Sequence, residues 1–171
     1  LDISICVQNF NSPIGTPMSA EMLARMCAEF EYIEYIKEET APEPRQISRT
    51  LAAVGQACRG ILGGQGGIFL IDEFNRGSCG NMPGCHSTDV LVDIWAKLEA
   101  GDEVGARQLF NRLLPLMSYE RLYGVAIYKL ILHRRGLIDT PLRRVPGGDL
   151  DAHDIAELDK ILGDVESLYR V

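Results

Sequence analysis

A chain of 171 residues with 46% hydrophobic and 24% charged residues has the balance of an ordinary globular protein and the length for one sizeable core. Its formal net charge of -7 and pI near 5.0 argue against a nucleic-acid binder, which needs a basic face; the Arg143-Arg144 pair is too short to supply one. No stretch approaches the roughly 20 apolar residues of a membrane span, and five cysteines without regular spacing suit reduced thiols in a cytoplasmic protein rather than a disulfide framework.

Residues 3–7 form a short apolar, β-prone run with no basic leader before it, which reads as a buried strand continuing from something upstream. Residues 11–17 read as a loop rich in Asn, Ser, Pro and Gly. Ser19 can cap a helix through about Glu29, with Met22, Leu23, Met26 and Cys27 on one stripe. A second strand covers residues 32–37. Pro42 and Pro44 then open a helix to about Gly55, with Ile47, Leu51 and Val54 on one face. Residues 60–62 give a third, very short strand signal, followed by a cluster of glycines at 63, 64, 66 and 67. A helix over 68–75 should end at Arg76-Gly77, a basic last turn followed by a glycine. A weak fourth strand (78–82) and an amphipathic helix (89–100) complete four strand–helix units. Such units predict parallel strands covered by helices, because a parallel pair needs a crossover.

Beyond Gly101 the pattern turns to helices alone, so a domain boundary is expected between 101 and 102. Asp102 can cap a helix reaching Leu116; residues 119–135 read as one well-buried helix ended by Gly136; residues 141–148 read as a loop; and Ile155, Leu158, Leu162, Val165 and Leu168 mark a last helix over 151–169. Periodicity leaves an open sheet, half a barrel and a small doubly wound domain all open.

Lys37 is the sharpest chemical feature. It closes an apolar strand, and parallel α/β folds carry their sites at the C-terminal ends of strands. Alternation puts Ile33, Tyr35 and Lys37 on one face and Glu34, Ile36 and Glu38 on the other. Shielded there, the ammonium form is disfavoured, and a neutral amine can add to a ketone. The bland alternative is a strand-end lysine in solvent. Glu39 shares the Lys37 face if the strand runs on and is then a candidate base; otherwise it is a surface carboxylate. The run Gly63-Gly64-Gln65-Gly66-Gly67 lacks the lysine and hydroxyl of a P-loop and reads as a tight turn. Cys79, Cys85 and His86 lack the paired spacing of a zinc site, so no metal is expected. His133, beside Arg134 and Arg135, suits a helix C-terminus.

Several segments taken in order resemble the dihydrodipicolinate synthase and N-acetylneuraminate lyase family of class I aldolases. Ile36-Lys37-Glu38 is similar to the family's strand-six I-K-E, and Val7-Gln8-Asn9-Phe10-Asn11-Ser12-Pro13 sits where strand five usually ends in Tyr-Asn-x-Pro. Gly63-Gly64 resembles the strand-seven glycine position, and the segment from Arg76 to Pro83 is similar to the RGAxGxMP run of sugar-acid members. Residues 93–115, with Ala100-Gly101-Asp102 and Leu113-Leu114-Pro115-Leu116, look like the eighth helix and the helical tail. The resemblance implies an α/β fold made of strands five to eight of a TIM (β/α)8 barrel, followed by a three-helix extension. It implies a lyase forming a Schiff base between Lys37 and pyruvate or a 2-keto-3-deoxy sugar acid, with no cofactor. Gln8, Gly63, Gly64 and the main chain at Met82 would line the substrate.

One departure matters. The strand-five tyrosine, a proton shuttle in the family, aligns with Gln8, which cannot titrate. Another group must move protons, and sugar-acid dehydratase or aldolase chemistry is favoured over the synthase reaction. The alternatives are a catalytically silent homologue that binds a 2-oxo acid or sugar acid as a regulator, or a helix-rich interaction module. Four strands do not close an eight-stranded barrel, so the N-terminal half, with the family's substrate-carboxylate turn, is expected upstream or from a partner copy. A homo-oligomer, dimer or tetramer, is expected.

Overall fold

The computed structural model describes residues 3–11, 13, 15–145 and 148–170; residues 1, 2, 12, 14, 146, 147 and 171 lie outside them, so the loops expected over 11–17 and 141–148 are described only in part. By packing, the chain divides into two compact units, Leu1–Pro83 and Gly84–Val171. The division falls earlier than the boundary read after Gly101, because the helix that follows the fourth strand packs on the next helix of the second unit.

The first unit alternates β1 (Ile5–Phe10), α1 (Ala20–Glu29), β2 (Ile33–Glu39), α2 (Glu43–Val54), β3 (Gly60–Gly63), α3 (Leu70–Asn75) and β4 (Gly80–Asn81). The strands are all parallel, and their order across the sheet follows the chain, β1-β2-β3-β4. The helix-side core joins Leu23 and Cys27 of α1, Ile33 and Ile36 of β2, Ile47 and Val54 of α2 and Ile61 of β3. Ser19 caps α1 by accepting from the Met22 N–H at 3.2 Å, as its hydroxyl and position predict. Gly77, at φ +91°, ends α3 where a glycine was expected.

Two strands run further than their apolar residues suggest. β1 extends to Phe10 and β2 to Glu39, because the polar residues at their ends are buried against one another rather than released to water. Asn9 donates to both oxygens of Glu38, at 2.9 and 3.2 Å. The same carboxylate accepts from the Thr40 N–H at 2.9 Å, from the Thr40 hydroxyl and from the Thr50 hydroxyl at 3.2 Å. A carboxylate that is 1% exposed is tolerable only with such partners. These bonds lock the helix-side face of β1 and β2 together.

The strict alternation expected along β2 fails at its start. Ile5 pairs with Ile33 but Cys6 pairs with Tyr35, so Glu34 is an extra residue in the ladder. Ile33 therefore joins Ile36 in the helix-side core instead of sharing a face with Lys37. Above this shift the alternation is regular. Gln8, Lys37 and Leu62 lie in register on the other face of the sheet.

The second unit is helical: α4 (Thr88–Glu99), α5 (Glu103–Tyr123), α6 (Val125–Arg134) and α7 (Ala152–Val165). Asp102 caps α5 by accepting from the Gly105 N–H at 2.9 Å, as expected. The helix passes through Leu116 and the expected break near it, keeping Pro115 inside, and stops only at Gly124, whose φ is +51°. The single buried helix expected over 119–135 is thus two segments, and Leu122 and Val125 beside the break are 70% and 54% exposed. Among the described residues three α-helices, α5 to α7, follow α4. His86 is buried before α4, with Nε2 2.8 Å from Glu120 Oε2 and its ring stacked on Tyr128 at 4.7 Å. Arg135 holds Asp89 at 2.7 Å and lies over the Tyr169 ring at 3.9 Å.

Candidate active site

The rim where β2 ends carries a compact polar cluster. Lys37 Nζ is 3.2 Å from Glu39 Oε2, and the two side chains are 17% and 7% exposed. Lys37 is thus neither loose in solvent nor alone. Glu39 is not a surface carboxylate. Its Oε2 also accepts from Gln8 Nε2 at 2.5 Å, and its Oε1 accepts from the Gln65 backbone N–H at 2.7 Å. The Gln65 side chain reaches back to the Glu39 carbonyl at 3.4 Å.

Backbone shape makes this grip possible. Gln65 is a non-glycine residue at φ +51°, in the left-handed region, which turns its N–H toward Glu39. A Cβ on Gly64 would lie 2.2 Å from Glu39 Oε1, so only glycine lets the carboxylate lie against the main chain there. A Cβ on Gly63 would lie 1.9 Å from Glu73 Oε2 and 2.8 Å from Asn81 Nδ2. The bareness of both glycines thus admits two carboxylates of the protein itself, one on each side of the dipeptide. Glu73 is fully buried, and burial raises its carboxyl to about 7 despite a hydrogen bond from Asn81 Nδ2 at 2.8 Å; the charges of Glu43 and Glu39 push it the same way. Met82 extends the β3–β4 pairing by donating its N–H to the Gly63 carbonyl at 2.9 Å, and its side chain is 43% exposed.

Of the residues singled out from sequence, Lys37, Glu39, Gln8 and Gly64 come together in direct contact, and Gly63 and Met82 meet through the main chain one strand over. Gln65, Glu73 and Asn81 were missed. The turn around Gln65 was read from its glycines and is found, but nothing in the sequence announces the left-handed conformation of Gln65 itself; an acidic residue three positions after Leu70, on the sheet-facing side of α3, is a signal for Glu73. Among the described residues no group of three or more His, Cys, Asp or Glu side chains is placed to hold a metal. No described helix is long and apolar enough to cross a membrane.

No family model matches the chain. A curated protein, L-2-keto-3-deoxyarabonate dehydratase of Azospirillum brasilense, is 30% identical over 145 residues, which is 84% of this chain and 47% of that protein. The crystal structure of dihydrodipicolinate synthase from Rhodopseudomonas palustris superposes with a TM-score of 0.86 at 29% identity, covering 95% of this chain and 56% of that one. The crystal structure of dihydrodipicolinate synthase from Thermotoga maritima gives 0.78 at 23% identity over 97% and 57%, and at that identity it supports the fold alone. The chain spans about half the length of the relatives that it matches. Its four parallel β/α units and helical tail match the C-terminal portion of the dihydrodipicolinate synthase family.

Proposed function

We propose that this chain supplies the Schiff-base half of a class I aldolase-type lyase, acting on pyruvate or a 2-keto-3-deoxy sugar acid by aldol cleavage or addition or by dehydration. The observation that carries the reading is the contact between Lys37 and Glu39 at the rim of β2. Glu39 takes a proton from the Lys37 ammonium, and the neutral amine adds to the keto carbon. Protonation of the carbinolamine hydroxyl by the same carboxyl expels water and leaves an iminium. That cation accepts the electron pair released when a C–C bond breaks or a C3 proton leaves; in the second case a neighbouring hydroxyl departs as water. A carboxylate within reach of both the amine and C3 performs each transfer in turn. Gln8 does not relay protons; it fixes Glu39 through its amide. Gln8, Gly63, Gly64 and the main chain at Met82 line the substrate. The dehydratase name of the Azospirillum relative favours the C–O branch.

The remaining strands of the barrel come from residues outside this sequence or from another copy, and the assembled protein is an oligomer. β1 and β4 stand at the two margins of the sheet, where such strands would join.

The test is borohydride reduction of the intact protein carrying this chain, with pyruvate or a 2-keto-3-deoxy sugar acid present. A covalent adduct at Lys37, absent from Lys37→Ala, supports the reading. Full turnover by Lys37→Ala overturns it, and substrate binding without any adduct turns the assignment toward a regulatory homologue.

A further inference from the structure

Behind the glycine pair, two buried atoms have no hydrogen-bond donor: Glu73 Oε1 and Asn81 Oδ1. They belong to side chains that already touch, since Asn81 Nδ2 donates to Glu73 Oε2 at 2.8 Å. Both orphans are acceptors, so a second contact between the two side chains needs one proton. Placed on Glu73 Oε1, it makes the pair reciprocal: amide N–H to carboxyl oxygen, and carboxyl O–H to amide oxygen. The other Asn81 N–H reaches the Gly64 carbonyl at 3.5 Å. The next residue, Gln65, gives its N–H to Glu39.

We propose that Glu73 is held as a neutral carboxylic acid paired reciprocally with Asn81, and that this pair is the positioning element that braces the Gly63–Gly64–Gln65 turn against Glu39. Glu73 does not touch substrate. It acts through Asn81 and the turn, and the inference rests on the reading of Glu39 as the proton-transfer group. Gly63 admits the pair, because a Cβ there would overlap both of its members. Burial and the charged groups that face Glu73 favour the neutral acid and outweigh the hydrogen bonds from Asn81 and the Gly64 N–H, which favour the charged form. Glu43 comes from α2 and Glu39 from β2, both carboxylates; Gly63 of β3 and Asn81 of β4 bring no charge; Asp72 on the same helix is paired with Arg76. Each of these facing carboxylates disfavours a second negative charge. The value of about 7 for Glu73 puts the loss of its proton within the working range of an enzyme.

Glutamine reproduces the neutral acid's bonding pattern, with one donor and one acceptor, and cannot ionise. Glu73→Gln is therefore expected to keep kcat/KM within about threefold of the parent at pH 6 and to lack the parent's fall in activity above about pH 7. Glu73→Leu, which fills the space without bonding, is expected to lose activity at every pH while still gaining the borohydride adduct at Lys37. A readout independent of turnover is the infrared carbonyl stretch of a protonated carboxyl, present at pH 6, fading by pH 8 and missing from Glu73→Gln. If that band is absent from the parent at pH 6, or if Glu73→Gln keeps the alkaline fall, the acid–amide pair is wrong. If no substrate traps on Lys37 but the band behaves as described, the pair stands and the proposed lyase activity fails.

Discussion

Gly64→Ala is the sharpest test of how Glu39 is held. The added Cβ would stand 2.2 Å from Glu39 Oε1 and 2.4 Å from both Cδ and Cγ. Heavy atoms pack at about 3.5–4.0 Å, so the carboxylate must retreat by roughly 1 Å. It cannot retreat and keep its bonds, because the Gln65 N–H at 2.7 Å belongs to the very turn that carries the new methyl group. A hydrogen bond to a charged group is worth about 1.5–3 kcal/mol, and that share of stability is lost. The larger effect is on chemistry. A displacement of about 1 Å in a reacting group costs on the order of 100-fold in rate. Steady-state kinetics of the intact protein on a 2-keto-3-deoxy sugar acid, beside a thermal melt to show that the variant is folded, measures both. A folded Gly64→Ala enzyme with kcat within about threefold of the parent would refute the view that Glu39 must lie against this backbone to work.

Glu39→Gln leaves the shape of the cluster but removes the titrating group, and kcat should fall by roughly 10²–10⁴-fold, read by steady-state kinetics. Thr50→Val deletes a buried hydroxyl donor to Glu38; a denaturant melt should show a loss of about 1–3 kcal/mol, since the carboxylate oxygen that it served is buried. His86→Ala leaves the Glu120 carboxylate buried without its imidazole partner, and a loss of about 3–5 kcal/mol is expected in the same measurement. Asp89 gives an acid limb. Burial alone would raise its carboxyl, but bonds from the Arg170 N–H and the Arg135 guanidinium outweigh burial and hold it below the ordinary carboxylate range. A depressed native value means stability that is present above the unfolded value of about 3.9 and lost as pH falls through the lower native one. Fluorescence of Trp95 on α4 should report this unfolding limb below about pH 4, flattened in Asp89→Asn.

The fold was legible because apolar spacing marked the first three strands and most of the helices, and because three caps, Ser19, Asp102 and Gly77, fell where their chemistry requires. Lys37 and Glu39 were legible from alternation, which holds wherever the ladder is regular. What escaped depends on partners distant in sequence. Polar strand ends looked like loop because Glu38 finds Asn9, 29 residues away, and Glu39 finds Gln8 and the Gln65 N–H, long-range pairings that no local pattern discloses. The break at Gly124 escaped because the apolar residues around it promised burial that Leu122 and Val125 do not have. Glu73 drew no reading from sequence, since what makes room for its carboxylate is the bare Gly63 on another element.

The extra residue at Glu34 sets the phase of everything downstream on its strand. One residue added or removed between that point and Lys37 would invert the upper half of β2. The amine would be driven among Leu23, Ile47 and Ile61 without a counter-charge, and Ile36 would be turned out onto the face that carries Gln8 and Glu39. A change in the length of this stretch would displace every side chain above it, so the arrangement of the rim depends on a count of residues as much as on their identity.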